Sequence, residues 1–357
     1  MRVAISGINA NDNPGPGIGV ARSLKASTHN HKIIGLSYDA NDSGHYLKEY
    51  FDTTAFLPFP SKGWNEMSKK LKQINSESKI DLLLPCLDAE LPLYIHHQKE
   101  VERELGIHLF LPSAEQFEIR GKNRLGELAE KLKAKYPKTI EVNSIDEMRR
   151  AIDDTFPFPF LVKGKYYKAY RVNTYYEALH RFDEIAAEWG YPILLQRLLG
   201  GVEINLVGLG DGNGKLLGAV AIKKLTTTPI GKIWTAVTIR NENLLEMARR
   251  FVRVTGWRGP FELECIANAQ GIHIIEINPR FPAWTYFATA CGVNLPDLLL
   301  RCVQGENVNP IKDYAVGKLL VRFCGEIVAD WITGGQSSTE EESVNEAPSI
   351  SPIREAA

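Results

Sequence analysis

The sequence has few cysteines, no long apolar run and almost no net charge. Its five cysteines are odd in number, widely spaced and without a Cys-x-x-Cys pair, so neither a disulfide framework nor a zinc knuckle is indicated. No stretch approaches the roughly 20 uncharged apolar residues that span a bilayer. With 42 Lys and Arg against 43 Asp and Glu, the formal charge of -1 provides no global field that would select nucleic acid or an anionic membrane. Any cationic site must therefore be local.

The length and composition predict a folded protein of more than one subdomain. The 357 residues exceed the roughly 250–300 at which a single hydrophobic core usually stops growing. The hydrophobic fraction of 44% and the charged fraction of 24% are typical of globular chains. The opening segment MRVAISGINAND has neither the apolar stretch nor the small-residue cleavage site of a secretory signal, so we expect a cytoplasmic protein.

Strand-like and helical patterns alternate in the first third of the chain. Residues 2–8 form a strand-like run, and a turn rich in Gly, Pro and Asn over residues 11–19 leads into a helical pattern. Two further apolar runs, Lys32–Tyr38 and Ile80–Cys86, flank helical segments. This alternation predicts an α/β unit, a Rossmann-like parallel-sheet domain over residues 1–112.

The middle of the chain predicts a mixed subdomain. Helical spacing begins at Lys122 and predicts a helical, lid-like insert, which is followed by a short strand ending near Lys163 and a helix over Thr174–Trp189. We expect these elements to form an α+β subdomain over residues 113–190. The next segment, residues 191–224, reads as two β runs joined by a Gly-Asp-Gly-Asn-Gly turn, which predicts an antiparallel hairpin.

A second α+β subdomain is predicted over residues 191–330. A helix over Asn243–Thr255 precedes two β runs, Pro260–Ala267 and Ile272–Asn278, which we expect to pair as a hairpin. Residues 331–357 are rich in Ser and Glu and have few large apolar side chains, so we expect a flexible tail without chemistry.

The last hairpin has polar residues at positions that suit a metal. Side chains alternate across a strand, so Glu276 and Asn278 project from the same face, and Glu264 on the neighbouring strand can join them. Two carboxylates and an amide oxygen are ligands that suit Mg²⁺, which substrate phosphates usually complete. The alternative is the solvent face of an ordinary hairpin, but Glu276 stands among bulky apolar residues and Asn-Pro-Arg follows at once. The pattern therefore favours ATP–Mg²⁺ chemistry.

The segments ELEC and IIEINPRF resemble the terminal metal-binding motif of the ATP-grasp superfamily, which includes carbamoyl phosphate synthetase and biotin carboxylase. The resemblance covers residues 1 to about 325. It implies an ATP-grasp fold of two α+β subdomains after the Rossmann-like domain. It also implies that Glu264, Glu276 and Asn278 hold Mg²⁺, or Mn²⁺ in its place.

The same resemblance implies roles for residues upstream of the metal motif. Lys122 and Lys163 would contact ATP phosphates. Gln196 and Leu198 would form the interdomain hinge that holds adenine, and Glu203 would accept the ribose hydroxyls.

Two cations are implied as catalytic residues. Lys223 stands where similar enzymes often contact the γ-phosphate, with Lys224 as the alternative. Arg280 would face the transferring phosphoryl group or the acyl-phosphate, and a guanidinium matches the geometry of those oxygens. The alternative for Arg280 is a surface arginine at the strand end.

The resemblance implies an ATP-dependent carboxylate-amine ligase. Such an enzyme activates a substrate carboxylate as an acyl-phosphate and joins it to an amine or a similar nucleophile, releasing ADP and phosphate. Its partners would be small-molecule carboxylate and amine substrates, with no nucleic acid and no membrane, and a homodimer is common among similar enzymes. Two alternatives stay open: a carboxyphosphate-forming enzyme like the carboxylases and carbamoyl phosphate synthetases, and a non-catalytic nucleotide-binding protein.

Other suggestive residues carry weaker predictions. Gly15, Gly17 and Gly19 lack the spacing of a dinucleotide fingerprint, so they indicate either a helix N-terminus that meets a substrate carboxylate or a plain tight turn. Lys232 and Arg240 flank a segment that either closes over the substrate or is a basic loop without catalytic duty.

Overall fold

The computed structural model of the protein describes residues 1–10, 13–122, 124–165 and 168–329. Its strands form three sheets, one parallel and two antiparallel. None of the helices in these ranges combines the length and the apolarity that a membrane span requires. The predicted tail over residues 331–357 and part of the predicted turn, residues 11 and 12, lie outside the described residues.

The first sheet is parallel and confirms the predicted Rossmann-like unit. Its strand order is β3-β2-β1-β4-β5, so the order reverses between β1 and β4, the place where open parallel sheets bind ligands. Apolar residues of β1 and β4 are fully buried between helices on both faces. The strands and helices are β1 (Arg2–Ile5), α1 (Pro16–Lys25), β2 (Lys32–Ser37), β3 (Thr53–Phe56), α2 (Trp64–Ser78), β4 (Leu82–Leu84), α3 (Leu91–Leu105) and β5 (His108–Leu109).

The second sheet is small, antiparallel and built around its own apolar core. The order is β6-β9-β7-β8, and two helices cover one side. Thr174 and Ser144 cap these helices by accepting a hydrogen bond from the third helical residue. The elements are β6 (Thr139–Val142), α6 (Ile145–Thr155), β7 (Phe160–Gly164), β8 (Ala169–Val172), α7 (Tyr175–Trp189) and β9 (Ile193–Arg197).

The third sheet is antiparallel, with the order β14-β13-β10-β11-β12-β15. One face packs on α5 and α8, and the other faces the first domain across α1, α9 and α10. The elements are α4 (Ala114–Ile119), α5 (Leu125–Leu132), β10 (Val202–Asp211), β11 (Leu216–Thr227), β12 (Ile233–Ile239), α8 (Glu242–Thr255), β13 (Arg258–Asn268), β14 (Gly271–Asn278), α9 (Thr285–Ala290), α10 (Leu295–Val303) and β15 (Leu319–Val321).

The sheet assignments differ from the predicted subdomain boundaries. β9 was expected to belong to the first β run of the hairpin, but it is a separate strand that pairs with β6 and β7, so the second sheet ends at Arg197 rather than at residue 190. The predicted hairpin of residues 191–224 is therefore only the β10–β11 pair. The predicted helical insert also does not stay with the second sheet as one unit. Its helix α5 packs on α8, which covers the third sheet. Just before it, Gln116 of α4 donates hydrogen bonds to the carbonyl oxygens of Thr255 and Gly256 at the end of α8.

The glycines after β1 allow a close crossing of chain segments. At Gly17 a Cβ would lie 2.0 Å from the carbonyl oxygen of Ser6, whereas at Gly19 the nearest atom would be the carbonyl oxygen of Ala283 at 3.4 Å. Gly17 is thus required by contact with the end of β1. Close packing alone therefore explains the glycine at position 17, without a ligand.

We expect Gly17→Ala to destabilise the protein by about 1–3 kcal/mol, because the added methyl overlaps a backbone atom that cannot move cheaply. Gly19→Ala, two residues further into α1, is the matched control and should be neutral or stabilising by up to about 1 kcal/mol, since alanine favours helix. Thermal unfolding of both variants measures the difference. Equal midpoints would contradict this packing account.

Candidate functional site

Three predicted metal-binding residues meet on the β13–β14 hairpin. Glu264 is directly opposite Glu276 in the register, and Asn278 is opposite Glu262. The Asn278 amide nitrogen donates to Glu262 Oε2 and to Glu264 Oε1, both at 2.9 Å. Because paired residues project from the same face of a sheet, the three carboxylates and the amide form one oxygen-rich group, the acidic cluster.

Glu262 is the member of the acidic cluster that the sequence prediction left out. It is buried, and its Oε1 accepts hydrogen bonds from Asn205 Nδ2 at 2.8 Å and from Trp284 Nε1 at 2.7 Å. Burial raises the pKa of Glu262, and the neighbouring charge of Glu264 acts in the same direction. The alternation of β13, in which Glu262 and Glu264 share a face, was the signal that could have identified it.

A lysine from β11 neutralises part of the acidic cluster. The Nζ of Lys224 is 3.0 Å from Glu264 Oε2 and 3.0 Å from Glu203 Oε2. Burial raises the pKa of Glu264, but the charge and hydrogen bond of Lys224 outweigh it and leave the value below the ordinary one. Lys223, the predicted contact, is exposed and pairs with Ile204 on the opposite face of the sheet. The alternation of the strand therefore places Lys224, and not Lys223, at the cluster.

Two predicted phosphate-binding lysines approach the cluster from the other side. Lys122 Nζ is 3.6 Å from Glu276 Oε1. Lys163, buried at the end of β7, donates a 2.7 Å hydrogen bond to Gln196 Oε1. Burial and, less strongly, the charge of Lys122 lower the pKa of Lys163, the charges of Glu276 and Glu264 act against this shift, and the net value is about 8.

The predicted hinge residues follow one another at the end of the second sheet. The Gln196 side chain lies between Lys163 and Thr139, donating to Thr139 Oγ1 at 2.9 Å, so it holds the lysine in place. Leu198 is half-buried just after β9, in the connection to β10. Glu203 is the second residue of β10 and is about half exposed, with its carboxylate paired to Lys224.

Arg280 joins the acidic cluster to the first domain. It is the second residue after β14, and its Nε donates a 2.7 Å hydrogen bond to Asp88 Oδ2 in the loop after β4. Burial lowers the pKa of Arg280, but Asp88 and Glu262 outweigh this and leave it above the ordinary value, so the guanidinium stays charged. The Oδ1 of Asp88 is buried without a hydrogen-bond partner in the described part of the chain.

A cavity of about 300 Å³ lies beside Asp88, at the carboxyl ends of β1, β2 and β4. Its lining includes Asp39, Asp42 and Leu87, the last of which adjoins Asp88. Beneath it, the buried carboxylate of Glu90 accepts hydrogen bonds from the hydroxyls of Ser6 and Tyr38 and from the backbone N–H groups of Cys86 and Leu87. Glu90 thus fixes the loop that presents Asp88.

Comparison with known proteins identifies this arrangement. Residues 191–320 match the family model described as ATP-grasp in the biosynthetic pathway with Ter operon. The chain has the ATP-grasp fold. Solved structures that it resembles include L-amino acid ligase from Bacillus licheniformis, at 15% identity over 87% of this chain and 77% of that one, with a TM-score of 0.65. The ATP-grasp resemblance of the sequence is therefore confirmed.

Other ATP-grasp relatives have different activities. Biotin carboxylase from Campylobacter jejuni is similar at 12% identity over 89% of this chain and 74% of that one, with a TM-score of 0.67. N5-carboxyaminoimidazole synthetase from Staphylococcus aureus is similar at 14% identity over 89% of this chain and 80% of that one, with a TM-score of 0.65. The large chain of carbamoyl phosphate synthase from Agathobacter rectalis is 26% identical over 149 residues, which are 37% of this chain but only 14% of that protein.

The acidic cluster has a donor set that fits the Mg²⁺ of ATP-grasp proteins. The amide nitrogen of Asn278 is used by two carboxylates, which leaves its carbonyl oxygen as the donor atom. Glu264 and Glu276 supply carboxylate oxygens from opposite strands. Hard oxygen ligands of this kind suit Mg²⁺ or Mn²⁺. Next to them, Asn205 Oδ1 is a buried acceptor without a partner among the described residues.

The remaining candidate cations of the ATP-grasp domain lie outside the acidic cluster. Arg240, just after β12, is partly exposed and pairs with Glu242 at 2.6 Å and with Asp313 at 3.2 Å. Lys232 is exposed in the turn before β12. The segment between Lys232 and Arg240 is β12 itself, so it is a strand of the third sheet rather than a loop.

Substituting the two adjacent lysines one at a time tests which of them acts at the acidic cluster. We expect Lys224→Met to lower turnover about 100-fold or more, because it removes a buried cation that balances the carboxylates of Glu203 and Glu264. Lys223→Met is the matched control and should stay within about threefold of the original rate, since an exposed lysine on the far face changes little. Release of ADP in the presence of ATP and Mg²⁺ measures both. A larger loss with Lys223→Met would overturn this assignment.

Proposed function

We propose that this protein is an ATP- and Mg²⁺-dependent ligase that joins a carboxylate to an amine and releases ADP and phosphate. One observation carries the proposal: Glu264 and Glu276 face each other while Lys122, Lys163 and Lys224 approach the same spot from separate elements. Such a meeting of oxygen ligands and cations suits a metal-bound triphosphate.

Separate groups of residues would hold the phosphates, the adenosine and the metal. Lys122 and Lys163 would contact phosphate oxygens, and the hinge of Gln196 and Leu198 together with Glu203 would hold the adenosine. Mg²⁺ would bind to Glu264, Glu276 and Asn278. When bound, the metal offsets the charge of the phosphates and draws electron density from the γ-phosphorus.

The reaction needs no covalent enzyme intermediate. An oxygen of the substrate carboxylate attacks the γ-phosphorus, the bond to the β-phosphate oxygen breaks, and ADP leaves. The nitrogen of the amine then attacks the acyl carbon, phosphate leaves, and the nitrogen loses a proton. Arg280 lies beside the cluster and would stabilise the charge on the transferring group, because catalysis of phosphoryl transfer is mainly positioning and electrostatics.

The cavity beside Asp88 supports an amine as the second substrate. Asp39 and Asp42 are among its lining residues, and Asp88 lies in the chain between the lining residues Leu87 and Ala89. A negatively charged wall favours a cationic ammonium group over a second anion. The Asp88–Arg280 pair then connects the amine cavity with the phosphate site.

The same fold serves carboxyphosphate chemistry, which is the main alternative. Biotin carboxylase and N5-carboxyaminoimidazole synthetase, both similar to this chain in fold, are named for carboxylation. A non-catalytic ATP-binding protein is the third candidate. The cytoplasmic location and the homodimer expected from the sequence stay predictions.

Substrate-dependent release of ADP distinguishes these three functions. We expect turnover with a carboxylate and an amine together, and little with either alone. Dependence on bicarbonate would favour the carboxylase function, and ATP binding without turnover would favour the non-catalytic one. Glu276→Ala should abolish turnover and leave the fold intact, whereas Glu104→Ala, at an exposed site on α3, should be unchanged. Full activity of Glu276→Ala would contradict the metal assignment.

The affinity for ATP should depend on pH through Lys163. Its pKa of about 8 lies below the ordinary lysine value, so in the nucleotide-free protein the lysine loses its charge as the pH rises through 8. Bound phosphate favours the charged form, so affinity should be level below about pH 8 and fall by up to about tenfold per pH unit above it.

Lys163→Arg provides the control for this pH dependence, because arginine stays protonated over the whole range. Binding of a non-hydrolysable ATP analogue with Mg²⁺ at pH 7 to about 9.5 measures the two slopes. The original protein should weaken above pH 8 and the variant should stay level. Equal slopes would show that another group titrates.

A further inference from the structure

A histidine cluster lies away from the nucleotide site, between α1 and α10. His29 and His31 are in the connection from α1 to β2, and Asp297 is in the first turn of α10. One ligand atom of each of these three side chains lies within 4.8 Å of the others. Among the described residues, this is the one group of three or more His, Cys, Asp or Glu side chains whose ligand atoms lie this close together.

His31 is the unusual member of this cluster. Its side chain is only 7% exposed, yet neither Nδ1 nor Nε2 has a hydrogen-bond partner in the described part of the chain. A buried polar group without a partner costs free energy, so native structures nearly always supply one. The nearby nitrogen of His29 and carboxylate of Asp297 point to a shared ligand that the imidazole would bind.

The other two side chains are already held close together. His29 Nδ1 is 3.2 Å from Asp297 Oδ1, and the hydroxyl of Ser27 donates a 2.5 Å hydrogen bond to the same oxygen. Tetrahedral zinc with bonds of about 2.0–2.1 Å separates its ligand atoms by roughly 3.3 Å, which matches the first of these distances. His29 is more than half exposed, so its ring can rotate to complete the site.

We propose that His29, His31 and Asp297 bind a divalent transition metal such as Zn²⁺, with water as a fourth ligand. Two imidazoles and one carboxylate are the ligands that zinc and its neighbours prefer, whereas Mg²⁺ prefers oxygen alone. The site shares no residue with the acidic cluster.

The metal would join two parts of the molecule. The two histidines belong to the first domain, and α10 packs on α1 and also contacts β10 and β11 of the third sheet. A bound ion therefore links the parallel sheet to the ATP-grasp unit at a point remote from the chemistry. Because it binds the folded protein, it should raise thermal stability.

Zinc titration of the full chain in excess Mg²⁺, read by competition with a chromophoric chelator, tests the site. We expect one equivalent to bind, with the dissociation constant raised at least about 10–100-fold in His29→Gln, His31→Gln and Asp297→Asn. The double variant His96→Gln with His97→Gln is the matched control, since these histidines on α3 lie outside the cluster, and it should bind like the original protein.

Two further measurements keep the test decisive if His31→Gln fails to fold. His29→Gln changes an exposed side chain, so it should fold and should lose both the zinc equivalent and the rise in thermal midpoint. Glu276→Ala should retain both, because its carboxylate belongs to the nucleotide site. The proposal is wrong if zinc binds equally well to His29→Gln, or if Glu276→Ala is the variant that loses it.

Discussion

The balance of buried charge on the third sheet is the constraint on which the site depends. Glu262 and Glu264 are taken out of water together, and an isolated carboxylate there would be costly. Asn278 and Lys224 supply the hydrogen bonds and the opposite charge that make this tolerable. These charge pairs can still be exchanged. A divalent ion could bind the carboxylates in place of their present partners, and phosphate oxygens could bind Lys224. Binding of the nucleotide would exchange one set of charge pairs for another.

This balance requires three parts of the chain to meet. The acidic face belongs to the third sheet, Lys163 and Gln196 to the second, and Asp88 to the loop after β4 in the first. Arg280 contacts Asp88, and Glu90 fixes the loop from which Asp88 projects. A substrate bound at the carboxyl ends of the parallel strands would therefore lie next to the residues that we propose hold the transferring phosphate.

Much of the site could be predicted because strand alternation is a local property. It put Glu276 and Asn278 on one face, and the hairpin register brought Glu264 to them. The choice between Lys223 and Lys224 needed the pairing with β10, since adjacent residues face opposite sides and sequence alone does not fix the phase. β9 was assigned to the wrong sheet for a different reason: its partners in β6 and β7 precede it by about 30–57 residues, and no local pattern encodes such pairing. His31, whose buried imidazole has no hydrogen-bond partner among the described residues, lies near Asp297 of α10, and the sequence does not reveal a contact between residues so far apart in the chain.

The most direct test of the account is a crystal structure with Mn²⁺ and a non-hydrolysable ATP analogue, in which anomalous scattering locates the metal. The account predicts Mn²⁺ bound to Glu264, Glu276 and Asn278, with the triphosphate between it and Lys163. A nucleotide bound elsewhere, or a metal that contacts none of these three side chains, would contradict it.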